Sequence, residues 1–541
     1  MNRKTLQAIF LPVCALLILA LGYLVGRHGA MQDSRYVGND KMNQALQLIR
    51  EQYVDSVSED ELMDMALAAL FESLDPHSEY IPKADLQAVN EDLDGSFSGV
   101  GISFQIVADT VTVVDAIVGG PAEKLGIMAG DRIISADGEP LAGPSVTNED
   151  VFRLLRGKKG STVDLEIKRQ NSTKTAHYSV KRNDIPVNSV DASYIMDDGK
   201  TGYIKLSKFT RNTFLEFMTA VSSLQAEGAK SLILDLRGNP GGYMDQAILI
   251  ANQFLPAGRK IVFTKARTEE NRMESLADGS GFLQDVPVAI LLNEYSASAS
   301  EIIAGAIQDN DRGPVVGRRS YGKGLVQTQI DLPDKSAIRL TVARYYTPSG
   351  RSIQKEYKIG EIFDYEMDIM NRYERGEFYH LDSIKLDRTK AFHTTGGRTV
   401  YGGGGIMPDY FVPEDTTFVT SYYINVNNAG LIQQYSYSLA DRYRSLAKGM
   451  TEGSQVLHLL PSDDLLIEGF AEYAESKGVP ARWYYIDISR PVLLGQLKAF
   501  VVRDLLGYDQ FYKIFNLTDR TIEVALDVLK EGRLPASTIA R

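Results

Sequence analysis

The hydrophobic positions divide the chain into stretches of different period. Leu6 to Val25 is an almost uninterrupted apolar run, with Arg3 and Lys4 before it and Arg27 and His28 after it. About 20 apolar residues, rising ~1.5 Å each, suffice to cross the ~30 Å hydrocarbon core of a bilayer. The positive residues ahead of the run favour a cytoplasmic amino terminus. The run is long for a secretory signal, and Gly26 to Ala30 makes a poor cleavage site. The pattern predicts an uncleaved membrane anchor over residues 1–30, with the rest of the chain outside the cytoplasm, on the periplasmic side of an inner membrane. Cleavage and release into the periplasm is the alternative.

Residues 36–94 make an N-terminal helical region, with the helical period over 38–72. Met42, Leu46, Ile49 and Tyr53 are followed by Leu62, Met65 and Leu70, and Leu74-Asp75-Pro76-His77-Ser78-Glu79-Tyr80 then breaks the pattern with a turn. Residues 95–183 change to short strands. Gly99-Val100-Gly101-Ile102 leads into Thr110–Ile117, and Ile133-Ile134 and Thr162–Lys168 follow around a short helix at Glu149–Leu155. From 190 to 415 buried strands at Thr201–Leu206, Ser231–Leu236 and Val288–Asn293 alternate with helices at Phe214–Gln225, Met244–Phe254 and Ser300–Gln308. That alternation predicts a parallel-rich α/β core. Residues 361–395 are polar and weakly periodic, as an insertion would be. Residues 416–541 return to amphipathic helix.

Composition narrows the chemistry. A 44% apolar, 24% charged chain of 541 residues folds around a sizeable core. One cysteine excludes an intramolecular disulfide and a thiolate metal cluster. A net charge of −12 gives no support to nucleic-acid binding. No His, Asp, Glu or Cys cluster has a metal-ligand spacing, and the Gly322-Lys323-Gly324 loop is not a phosphate-binding motif. No cofactor or metal is expected.

Two strand-to-loop crests carry the candidate chemistry, since functional groups in α/β sheets gather at the carboxyl ends of strands. The first is Asp235-Leu236-Arg237-Gly238-Asn239-Pro240-Gly241-Gly242, whose glycines allow amides to approach a developing oxyanion. The second is Asn293-Glu294-Tyr295-Ser296-Ala297-Ser298-Ala299-Ser300-Glu301, where local spacing alone does not choose among three serines. All six histidines lie outside 178–379, so a Ser-His-Asp system is disfavoured. The Gly-x-Ser-x-Gly elbow of the common esterases is also absent around Ser298. Lys323, between two glycines at the start of an apolar strand, is the alternative base, because a poorly solvated lysine loses proton affinity.

In combination these motifs resemble the carboxyl-terminal processing, or tail-specific, proteases, a serine–lysine peptidase family with a PDZ domain. The resemblance covers roughly 38–350 and resumes at 401–410 with Gly405-Ile406-Met407-Pro408-Asp409. It implies an α/β protease core with an inserted PDZ-like unit, N-terminal helices and a C-terminal helical extension. It implies Ser298 as nucleophile, Lys323 as general base at the family's separation of 25 positions, and Gln327 orienting the lysine. The amides of Gly241, Gly242 and Ala299 would form the oxyanion hole, and Asp309 is supportive. Gly99, Val100, Gly101 and Ile102 would form a carboxylate-binding loop for the C-terminal tails of protein substrates. The apolar faces of 416–541 suggest a homo-oligomer, and an adaptor protein is a further candidate partner. A non-catalytic periplasmic PDZ scaffold with a decayed protease core is the competing reading.

Overall fold

The computed structural model describes residues 39–107, 109–117, 119–169, 174–532 and 534–535. Two compact units divide at Glu72. The first contains the helices Asn39–Gln52 and Glu59–Glu72. The second, from Ser73 onward, contains everything that bears on the site.

Its centre is a six-stranded sheet in the order Val190–Ile195, Thr201–Leu206, Ser231–Asp235, Val288–Leu292, Val315–Gly317 and Tyr410–Phe411. Only the first pair is antiparallel. Strand residues alternate faces, and both faces are apolar. Ile204, Leu234 and Ile290 pack beneath the helices Thr213–Ala226, Met244–Phe254 and Ala299–Asp309. Tyr203, Ile233, Ala289 and Leu291 face the other way, against Ile522 and Ala525 of the last helix, Arg520–Glu531. An all-parallel stretch buried on both faces accounts for the near-continuous hydrophobic runs.

A second, antiparallel sheet pairs Leu325–Asp331 with Ala337–Tyr346, and the latter with Glu79–Ile81 and Lys260–Ala266. The PDZ-like unit is a six-stranded antiparallel sheet with Ile102–Val107 at its edge, followed by Thr110–Ala116, Arg132–Ala136, Thr162–Lys168 and Thr175–Lys181, and with Glu139–Pro140 paired to Arg132–Ala136. The helix Asn148–Leu155, with a Thr147–Asp150 capping box, flanks it. Helices between Ser421 and Leu506 form a core of their own. One of them, Leu431–Tyr443, rests on the PDZ-like unit through Tyr437 Oη on the Val113 carbonyl at 3.2 Å and Asp441 on Arg132 at 3.3 Å. The expected fold class is the observed one. Residues 361–395 contain two short helices, Ile362–Glu366 and Asp368–Glu374.

The expected single-pass anchor, with the membrane association and inner-membrane location drawn from it, is corrected. The run from Leu6 to Val25 lies outside the described residues, and no helix among those described is long and apolar enough to cross a membrane. The 24-residue helix Trp483–Leu506 interrupts its apolar positions with Asp487, Arg490, Lys498, Arg503 and Asp504, charges that are costly in hydrocarbon.

Because Ile522 is buried against the far face of the central sheet, Ile522→Ala should lower unfolding free energy by about 2–5 kcal/mol. Urea denaturation checks this; an unchanged midpoint would mean that the last helix does not close the core.

Candidate active site

The two crests meet through Asn239, which is fully buried. Its Nδ2 donates to the Leu206 carbonyl at 2.9 Å, and its own carbonyl accepts from Ala297 N at 3.0 Å and Ser300 Oγ at 3.1 Å. Ser296 Oγ donates to the Leu236 carbonyl at 2.9 Å. Ser296 and Ser300 are thus fully buried and engaged in holding crest to crest. Ser298, between them, lines a cleft of about 980 Å³ together with Gly241, Gly242, Lys323 and Gln327.

Ser298 has φ +54°, rare for a residue with a Cβ. It opens the helix Ala299–Asp309 and donates its N–H to Glu301 Oε2 at 2.9 Å. The first crest lies directly against it. A Cβ on Gly241 would come within 2.7 Å of Ser298 Cβ, and one on Gly242 within 2.0 Å of the Phe209 carbonyl, both at positive φ. Only glycine brings this backbone so near the serine. The three expected oxyanion donors differ here. The Gly241 amide donates to Asn239 Oδ1 at 2.9 Å. The Gly242 and Ala299 amides have no protein acceptor among the described residues.

Lys323 is held beside the serine segment by two buried groups. Glu301 Oε2 accepts from both Ser298 N and Lys323 N at 2.9 Å, while Oε1 accepts from Gly322 N at 2.8 Å and Ser320 Oγ at 2.5 Å. Tyr345 Oη lies 3.1 Å from the Ser298 carbonyl and 2.5 Å from the Lys323 carbonyl, so one hydroxyl proton serves both segments. Burial pushes the Glu301 carboxyl up to about 7, against the pull of its hydrogen bonds to Ser320, Lys323, Ser298 and Gly322. Burial, then the charge of Arg339, lowers the Lys323 ammonium below the ordinary lysine value.

Gln327 sits at a β-bulge, where the pairing with Ala337–Tyr346 shifts between Val326 and Gln327. A bulge re-aims a side chain. Here Gln327 Nε2 donates to Thr341 Oγ1 at 3.3 Å, and Thr341 Oγ1 donates to Asp75 Oδ1 at 3.0 Å. Asp75 also accepts from His77 N and Ser78 N at 3.0 Å, which explains the turn at 74–80. His77 Nε2 is 2.8 Å from Tyr365 Oη, a residue of the insertion. Burial, then the nearby Lys323 charge, drops His77 to about 3, so it is neutral at ordinary pH. Asp309 is buried with Arg351 at 2.7 Å, away from the cleft lining.

Gly99, Val100, Gly101 and Ile102 are not brought to this cleft. They lie in the PDZ-like unit, at the start of its edge strand. Val100 and Ile102 are buried, and the carbonyls of Val100 and Gly101 accept from Ala122 N at 2.9 Å and Ile117 N at 3.0 Å.

A serine and a poorly solvated lysine in one cleft, beside glycine amides, define a serine-type peptidase class. The comparisons agree: residues 200–365 match peptidase family S41 and residues 112–169 a PDZ domain. Residues 25–84 match the activating protease CtpB N-terminal domain, and residues 422–507 a family of unknown function. Carboxy-terminal processing protease CtpA of Bacillus subtilis is 35% identical over 353 residues, covering 65% of this chain and 74% of that protein. The carboxy-terminal-processing protease of Bartonella bacilliformis is 38% identical over 310 residues, covering 57% and 70%. Among solved structures, the photosystem II D1 C-terminal processing protease is 30% identical, with 58% of this chain and 83% of that chain covered, at TM-score 0.34. The chain belongs to the carboxyl-terminal processing proteases of peptidase family S41, serine-type enzymes that use a Ser–Lys dyad.

Glu301 and Tyr345 were not singled out from sequence. Glu301 was recoverable from its place three residues after Ser298, the spacing of a capping box; Tyr345 had no local signal. Because glutamine has one acceptor oxygen where Glu301 meets four donors, Glu301→Gln should lower kcat at least ~10-fold without abolishing folding. Peptidase kinetics with circular dichroism checks this; wild-type kcat would remove Glu301 from the positioning of the site.

Proposed function

We propose that Ser298 is the nucleophile and Lys323 the general base of an endopeptidase acting on proteins captured by their C-terminal tails. The observation that carries the reading is the pairing of the Ser298 and Lys323 segments by Glu301 and Tyr345 beside one cleft. Neutral Lys323 takes the Ser298 proton as Oγ attacks the scissile carbonyl. The Gly242 and Ala299 amides receive the oxyanion, while Gly241, its amide turned to Asn239, provides the close approach of the loop. Protonated Lys323 then gives its proton to the leaving amine, and the same base activates water to release the acyl group. Gln327 is anchored through Nε2 on Thr341, and its amide oxygen is the acceptor offered to the lysine.

The 95–183 unit serves as the tail-binding module. Among the described residues its edge strand Ile102–Val107 pairs on one side, with Thr110–Ala116, and its other side is where an extended peptide can add. The Gly99–Ile102 loop receives the terminal carboxylate. The remaining segments fall as a helical region over 36–94, the protease core over 190–415 with its insertion at 361–395, and the helical region 416–541. The decayed-scaffold reading loses ground because serine, lysine and glutamine all line one cleft.

Ser298→Ala should cut turnover of a tailed protein substrate by at least ~10⁴-fold while leaving tail binding intact. Full turnover in that variant would refute the nucleophile. Lysine must be neutral to act, so kcat/KM should rise with pH through an inflection below the ordinary lysine value of about 10.4. Removing a like charge raises the pKa of a lysine, so Arg339→Gln should move that inflection to higher pH. An inflection that stays put or moves down would show that another group is the base.

A further inference from the structure

The oxyanion-side crest rests on a charge arrangement that reaches into the carboxyl-terminal extension. Asp235, almost fully buried at the end of its strand, takes Arg237 Nε at 3.0 and 3.1 Å and Nη2 at 2.6 Å. That engages one side of the guanidinium. The other side, Nη1, donates to Asp519 Oδ2 at 2.7 Å. Asp519 is the N-cap of the last helix: its Oδ1 accepts from Thr521 N at 2.8 Å and Ile522 N at 3.3 Å. One carboxylate therefore closes the helix that covers the far face of the central sheet and completes the fork of Arg237. The Arg237 carbonyl accepts from Lys205 Nζ, and the next amide, Gly238 N, donates to Asn293 Oδ1 at 2.8 Å at the foot of the second crest. Three residues beyond Gly238 the chain reaches Gly241 and packs on Ser298.

We propose that the extension is part of the catalytic scaffold, with Asp519 a positioning residue that fixes Arg237 and, through it, the crest bearing the oxyanion-side glycines. The inference rests on the assignment of Ser298 and Gly242 above. Asp519 lies beyond the 422–507 stretch, so the extension acts on the core from its final helix. A guanidinium fixed on two sides by carboxylates has a single orientation; held on one side only, it retains freedom that its backbone shares. An oxyanion site loses rate when its donors shift, because its stabilisation depends on preorganised geometry.

The test uses the full chain and a peptide ending in a free carboxylate. Asparagine caps a helix as well as aspartate does, so Asp519→Asn removes the charge and keeps the cap. We expect kcat to fall about 10-fold with KM within about 2-fold of wild type, and Asp519→Glu to recover most of the loss. In an Arg237→Lys background, where the two-sided fork is gone, Asp519→Asn should cost less than about 2-fold more. Wild-type kcat in Asp519→Asn overturns the proposal, and so does a loss equally large in the Arg237→Lys background. If Asp519→Asn does not fold, Asp519→Ser, another neutral cap, replaces it with the same expected outcomes. Failure of the underlying assignment is separable: it would appear as retained turnover in Ser298→Ala, whatever Asp519 does.

Discussion

One buried carboxylate holds the account together. Glu301 collects the N–H groups of Ser298, Gly322 and Lys323 and the Ser320 hydroxyl. These donors come from a helix start and from a loop about twenty residues further along. Tyr345 repeats the link on the carbonyl side of Ser298 and Lys323. A carboxylate removed from water is stable only where donors replace its hydration. The requirement runs both ways: the loop must arrive for Glu301 to be satisfied, and Glu301 must be present for the loop to have a place. Its raised pKa shows that burial outweighs even this set of donors.

The rest of the fold positions the two segments for that meeting. The parallel sheet brings the Asp235–Gly242 and Asn293–Ser298 crests to the same edge, and Asn239 joins them. The antiparallel sheet carries Gln327 on its bulge and ties Thr341 to the Asp75 turn. The insertion adds a support through Tyr365. Tyr365 meets His77, and the Lys355 ammonium lies between the Tyr321 and Tyr365 rings at 4.0 and 3.9 Å. Burial lowers that lysine to about 8.

What the sequence made legible follows from the range of the interactions involved. Helices and strands with strong periodicity, such as Met244–Phe254 and Thr162–Lys168, are local patterns and appear where expected. The absence of histidine between 178 and 379 is equally local, and it directed attention to Lys323. Choosing among Ser296, Ser298 and Ser300 was beyond local spacing, because what separates them is partnership with Leu236 and Asn239 some sixty positions away. The Gly241 amide was grouped with Gly242 for the same reason: its bond to Asn239 depends on the turn's conformation, not its composition. The helical character of 416–541 was readable, but not that its last helix would seal one face of the sheet. The reading of residues 1–30 as an anchor rested on the apolar run and its local flanks, and it falls outside the described residues.

The most direct test of the central claim is to trap the acyl-enzyme. A slowly hydrolysed ester of a tail peptide, acid-quenched during turnover and mapped by mass spectrometry, should leave its acyl group on Ser298, and Lys323→Ala should suppress that adduct. An adduct on Ser296 or Ser300, or an undiminished Ser298 adduct without the lysine, would contradict the pairing around which the site is built.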